Sequence, residues 1–308
     1  MSLMSRTYIG SVVPFALLGL GGLVGGCSST TPSFRESSDD AGEAGTVDSV
    51  SVPETPGSVD SGPTDSPTAG AQLFFHVRAS TAPFKHSDGY AGQTATNAKQ
   101  GIRSMRLLRE AGDTSPVVVF DHGKGYVEAG YNDGDDTLVG QVAALKVPAG
   151  PYKLAQIVVT HSRFRVASTL HYGLAYPGSY DCVQALSDST TIDGVTHSAG
   201  WYRYKFETGT ASYPVEGTNA PLPTSPTTGG FTMKTSGGDT YYETAIDLVV
   251  DPTIKKDVKV VIGVNMYESF RWEDQPVLGY AIGVYDTTPV SFEPVRRFGA
   301  NSFTLSLE

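Results

Sequence analysis

Asp239-Thr240-Tyr241-Tyr242-Glu243-Thr244-Ala245-Ile246-Asp247-Leu248-Val249-Val250-Asp251-Pro252 is the stretch that decides the fold class. Tyr242, Thr244, Ile246, Leu248 and Val250 occupy every second position, the period of a half-buried strand. Asp251-Pro252 stops the run, since proline withholds a ladder donor. Downstream, Val258, Val260, Ile262, Val264 and Met266 repeat the pattern. Upstream, Leu73, Phe75 and Val77 do the same. Further strands are expected at 117–120, 138–147, 152–166, 201–206, 277–285 and 302–307.

Turn chemistry separates these runs: Asp88-Gly89, Asp133-Gly134, Pro148-Ala149-Gly150-Pro151 and Asp193-Gly194. Asp193-Gly194 is the best candidate for a tight hairpin, because a type I′ turn needs the positive φ that glycine takes readily. One stretch, 98–110, is open to a helical reading, since Ile102, Met105, Leu107 and Leu108 fit neither period. Few Ala or Leu runs and 35 glycines point to a mainly β, antiparallel β-sandwich with long loops over residues 71–308.

The N-terminus has a different character. Arg6 precedes an apolar run from Tyr8 to Val24, broken by Pro14 and several glycines, which ends in Val24-Gly25-Gly26-Cys27-Ser28. A positive start, an apolar centre and small residues before the cut are what a secretory signal requires. The run lacks the roughly 20 strongly apolar residues of a spanning helix. The passage resembles the lipobox of bacterial lipoproteins. That resemblance implies a signal peptide over 1–26 and a diacylglycerol on Cys27, with membrane lipid as the partner. Ser28, where Asp would mark inner-membrane retention, resembles an outer-membrane address.

Residues 27–70 are rich in Ser, Thr, Pro, Gly, Asp and Glu. Glu36, Asp39, Asp40, Glu43, Asp48, Glu54, Asp60 and Asp65 stand against Arg35 alone. Such a segment cannot offset its chain entropy by burial, so a disordered linker, or stalk, is expected. It accounts for most of the net charge of −10. The remainder is mildly acidic and lacks the clustered bases of a nucleic-acid surface.

Leu145-Lys146-Val147-Pro148-Ala149-Gly150-Pro151-Tyr152, followed by Ile157-Val158-Val159, is similar to a turn of transthyretin-like and carboxypeptidase-regulatory sandwiches. It also resembles bacterial lipoproteins with a prealbumin-like sandwich, the domain of unknown function 4382. On that resemblance, residues 167–239 form an insertion, and the domain is a binding or spacer module.

Cys182 is the cysteine besides the anchor, with His161, His171 and His197 as conceivable partners; a buried small hydrophobe is the commoner role for a lone thiol. Asp121, Asn132, Asp133, Asp135 and Asp136 form the best metal candidate, a Ca²⁺ loop of carboxylates curled at Gly134. A hairpin turn between 126–130 and 138–147, with solvated acids, competes with it. Trp201, Tyr202, Tyr204 and Tyr213 are the ligand-binding candidates, suited to a glycan or protein ligand, unless Tyr202, Tyr204 and Phe206 share a face that is simply core. Glu268, Glu273 and Asp274 around Trp272 support an alternative reading, a secreted glycan hydrolase. Adjacent strand residues point opposite ways, so Glu273 and Asp274 are not expected to converge. The expectation that follows is a membrane-anchored envelope lipoprotein with a non-catalytic ligand-binding or structural domain.

Overall fold

A computed structural model describes residues 70–209, 211–223, 230–251, 253–289 and 291–308. The expected signal, Cys27 and the linker up to residue 69 lie outside these residues. The described residues are mainly β and contain no α-helix; two short 3-10 turns, Ala144–Lys146 and Pro276–Leu278, are their only helical elements.

Two sheets face each other across the main core. The smaller has the order Ser302–Leu307, Val258–Asn265, Gln72–Ser80, Asp136–Ala143. Gln72–Ser80 is central there, parallel to Val258–Asn265 and antiparallel to Asp136–Ala143. Its alternation is strict: Leu73, Phe75, Val77 and Ala79 are buried and the residues between them are not. Val260, Ile262 and Val264 join them from the next strand. Both of these period-two runs of the sequence therefore hold as strands. Asp239–Val250 lies in the facing sheet and contributes Tyr242, Ile246, Leu248 and Val250 to the same core.

The larger, ten-stranded sheet is organised by one strand, Gly150–Tyr172, of 23 residues. Its first half pairs with Asp239–Val250 on one side and Thr96–Leu108 on the other. Its second half continues beyond the main core. There it pairs with Leu174–Ala185, which in turn carries Tyr202–Thr208 and then Ala211–Gly217. Under this extension lies a second core of Val166, Tyr180, Cys182, Phe206, Phe270, Trp272, Tyr285 and Phe298 with Ala95. Its lid is a three-stranded sheet of Ala91–Gln93, Phe270–Trp272 and Val295–Arg297, with the loops around it. One strand thus serves two cores. Both limits of the 167–239 segment fall in paired strands; most of its strands extend the same sheet, while Thr190–Ile192 and Val195–His197 pair only with each other.

Three local expectations are corrected. The stretch 98–110 is strand, not helix: Thr96–Leu108 carries bulges at 96/99, 100/102, 102/104 and 105/106. Each bulge shifts the face on which side chains appear, which is why neither period fits. Residues 277–285 form no strand; a 3-10 turn and a loop lead to the short strand Asp286–Thr287. The Asp-rich turn joins no hairpin. Val127–Gly130 pairs with Thr96–Leu108 and Asp136–Ala143 with Gln72–Ser80, so the turn passes from one sheet to the other. Asp193-Gly194 does close a hairpin. Ile192 pairs with Val195, and the turn residues have φ of 51° and 81°.

Candidate functional site

The extension of the large sheet separates its residues by charge. Cross-strand partners share a face, and the register pairs Tyr172 with Leu174, Leu170 with Tyr176, Tyr180 with Phe206, Phe206 with Tyr213, and Tyr204 with Val215. That face contains no Asp, Glu, Lys, Arg or His. The second core covers its middle. Beyond the cover, Tyr172 is 71% exposed, Leu174 70% and Tyr213 55%, with Tyr176 and Val215 also open to solvent. Gly173, at φ 73°, closes the Tyr172–Leu174 turn in a conformation that favours glycine.

The opposite face of the same strands carries the charges. Arg163 and Arg203 both reach Asp193, at 2.7 and 3.0 Å, and Arg165 and Lys205 both reach Glu207, at 2.7 and 2.6 Å. These bonds hold Asp193 and Glu207 below the ordinary carboxylate range. One face is a satisfied polar surface and the other an uncharged aromatic one.

The four aromatic candidates divide between these settings. Tyr202 is buried and stacks near Tyr204, with ring centroids 4.5 Å apart. Tyr204 is half-buried and donates its hydroxyl to Gln184 Oε1 at 3.1 Å. Trp201 packs against Val183, Ala185 and Ile192 and stacks on His197 at 3.6 Å. Tyr213 alone stands out to solvent, on the edge strand Ala211–Gly217. Tyr172, Leu174 and Tyr176 complete the exposed face. Tyr172 and Tyr176 stand close together in the sequence, but only the register puts them on the face that carries Tyr213.

The five residues of the Asp-rich segment are each engaged within the fold, and only Asn132 and Asp135 meet each other. Asp121 accepts from Gly123 N at 2.8 Å and Asp133 from Thr81 N at 2.8 Å. Asp135 accepts from the backbone and side-chain nitrogens of Asn132 at 2.8 and 2.9 Å, and Asn132 Oδ1 accepts from Ala98 N. Asp136 binds His76 at 2.6 Å, Arg78 at 2.9 Å and Lys259 at 2.7 Å. Burial pushes the Asp136 carboxyl up, but Lys259, Arg78 and His76 outweigh it and hold it well below the ordinary range. No group of three or more His, Cys, Asp or Glu among the described residues could hold a metal ion.

The acids near Trp272 likewise diverge. Glu273 pairs with Arg296, and Asp274 accepts from Trp272 Nε1 at 3.0 Å. Glu268 lies 3.6 Å from Arg271. Cys182 sits within the second core, where burial pushes its thiol far up, away from the thiolate that nucleophilic attack needs. Its three conceivable partners are elsewhere: His161 on Glu128 at 3.1 Å, His171 on Asp286 at 2.7 Å, and His197 on Trp201.

No protein-family model matches this chain, and neither a curated protein nor a solved structure does.

Proposed function

We propose that this chain is a lipid-anchored lipoprotein of the cell envelope, held through Cys27 at the outer membrane, whose β domain is a non-catalytic binding or structural module. The uncharged aromatic face of the extension carries the reading of the domain. Tyr172, Leu174, Tyr176, Tyr213 and Val215 expose apolar area while every charge of those strands is turned away. Aromatic anchors without nearby charge are what binding surfaces enrich, and tyrosine rings also stack on sugar faces. The partner in this reading is a glycan or a protein. Support for the non-catalytic part comes from Cys182, which is buried as a thiol, and from Glu273 and Asp274, which serve different partners. The loose likeness to prealbumin-type lipoprotein sandwiches agrees with this role.

Two measurements test the reading. Membrane fractionation of the full chain against Cys27→Ala should move the variant from the membrane to the soluble fraction; unchanged partitioning would overturn the anchor. Titration with envelope polysaccharides and envelope proteins, with wild type and Tyr172→Ser/Tyr213→Ser, should give binding that the double variant weakens at least about tenfold, since aromatic contacts of this kind contribute on the order of 1 kcal/mol each. Binding indifferent to both tyrosines would remove this face from consideration.

A further inference from the structure

The exposed aromatic face is wider than its two clusters of tyrosines. Phe292, 39% exposed, lies against Tyr180 with ring centroids 5.7 Å apart. Tyr180 stands between Val166 and Phe206 in the ladder, and Phe206 pairs with Tyr213. Phe292 thereby links the hairpin tip, with Tyr172, Leu174 and Tyr176, to the edge strand, with Tyr213 and Val215. Small residues, Gly178 and Ala211, are among the positions between them on this face. Scaled from the roughly 150–250 Å² that a fully buried aromatic covers, and less for Leu and Val, the six exposed side chains offer roughly 600 Å² of apolar area.

We propose that this face docks a second copy of the chain, the two copies meeting about a two-fold axis. The inference rests on reading the face as a binding surface, and it names the partner. Area is the first argument. Two such patches remove roughly 1,200 Å² from water, the lower bound of stable specific interfaces, and a patch of this size is at the upper end of what monomers leave open. Charge is the second. In a two-fold contact a patch meets itself, so any charge on it would face its like. The four strands put no Asp, Glu, Lys, Arg or His on this face. Their charges stand on the other side, where Arg163 and Arg203 share Asp193 and Arg165 and Lys205 share Glu207 within one copy. A sugar site, by contrast, sets polar groups beside the rings it uses. The amide on this face, Gln184, is 1% exposed and already bonded to Tyr204 and to Pro221 O. The third argument is geometric. Pro214 withholds a ladder donor from the edge strand, so the contact runs face to face, like packed sheets, and not edge to edge.

Sedimentation velocity of the full chain in density-matched detergent counts the chains per particle. Across about 1 to about 100 µM, the range that suits an interface of this size, wild type should pass from one chain to two. A substitution at a two-fold contact acts in both copies, so Tyr172→Ser/Tyr213→Ser should raise the dissociation constant at least about hundredfold. Tyr213→Asp, which sets a charge against the uncharged face of the other copy, should give single chains. Val249→Asp is the control: Val249 is 60% exposed and pairs with Pro151, at the opposite end of the long strand. It should leave the dissociation constant within about twofold, as a distant site does. Single wild-type chains at every concentration would overturn the proposal, and so would a dimer that the double variant leaves intact. Single wild-type chains that bind an envelope polysaccharide or another envelope protein through the two tyrosines would keep the face as a binding surface and remove the second copy from it.

Discussion

Arg271 and Asp88 are both nearly closed off from water, and their side chains meet through Arg271 Nε at 3.0 Å and Nη2 at 2.8 Å. Burial pushes the Asp88 carboxyl up, but Arg271, with Tyr90 N and Arg297, brings it below its ordinary value. Removing the guanidinium leaves a buried carboxylate without its main partner. Arg271→Met should cost about 3–5 kcal/mol by chemical denaturation, and a loss under 1 kcal/mol would show the pair to be dispensable. His161 behaves differently. It is fully buried, and burial holds its pKa below the usual histidine value despite Glu128. The unfolded chain therefore takes up a proton near pH 6.5 that the folded chain refuses. Stability contributed by neutral His161 is complete above that pH and is lost as pH falls from there toward the depressed folded value. The denaturation midpoint should accordingly decline between pH 7.5 and pH 5.5, with a shallower decline in His161→Gln; parallel slopes would contradict this. Gly101 makes the close packing there possible, since a Cβ would lie 2.2 Å from Thr160 Oγ1 and 2.5 Å from His161 Nδ1. Gly101→Ala should be destabilising by about 1–3 kcal/mol, the range for overpacking.

Elements were legible where one face was buried without interruption. Gln72–Ser80, Asp239–Val250 and Val258–Asn265 each show period two and were readable as strands. Thr96–Leu108 was not, because its bulges alternate the buried face within one strand. The 277–285 run is apolar for another reason: Leu278 and Ile282 are exposed, and the chain there is shaped by acceptors at Asp274, Asp286 and Glu293. Glu293, which accepts from Gln275 N and Asp286 N, sits in Ser291-Phe292-Glu293-Pro294, where no motif distinguishes it. Its partners lie 18 and 7 positions away, and only the folded loop makes them neighbours. The aromatic segment was half legible. Spacing puts Tyr202, Tyr204 and Phe206 on one face but leaves open whether that face is core; the burial of Tyr202 and Phe206 decides it, and the exposed face needs the register of four strands. At its rim, Pro214 in Ala211–Gly217 withholds a backbone donor from an edge strand, a device against edge-to-edge pairing. Pro214→Val should increase concentration-dependent light scattering; unchanged scattering would mean the edge is guarded by other means.

At the scale of the molecule, one continuous strand ties two cores into a common ladder. Phe206→Ala in the second core should cost about 3–5 kcal/mol, and calorimetry should show the whole described domain shifting as a single transition. Two separated transitions would mean that the strand does not couple the cores. The entry point of the chain has a mechanical consequence. Residues ahead of Gly70 lead directly into Gln72–Ser80, which is hydrogen-bonded on both sides. A pull on the N-terminal side must therefore shear two ladders together instead of peeling an edge strand one bond at a time. In the proposed lipid-anchored setting, that geometry keeps the domain folded while drag pulls on its N-terminal side.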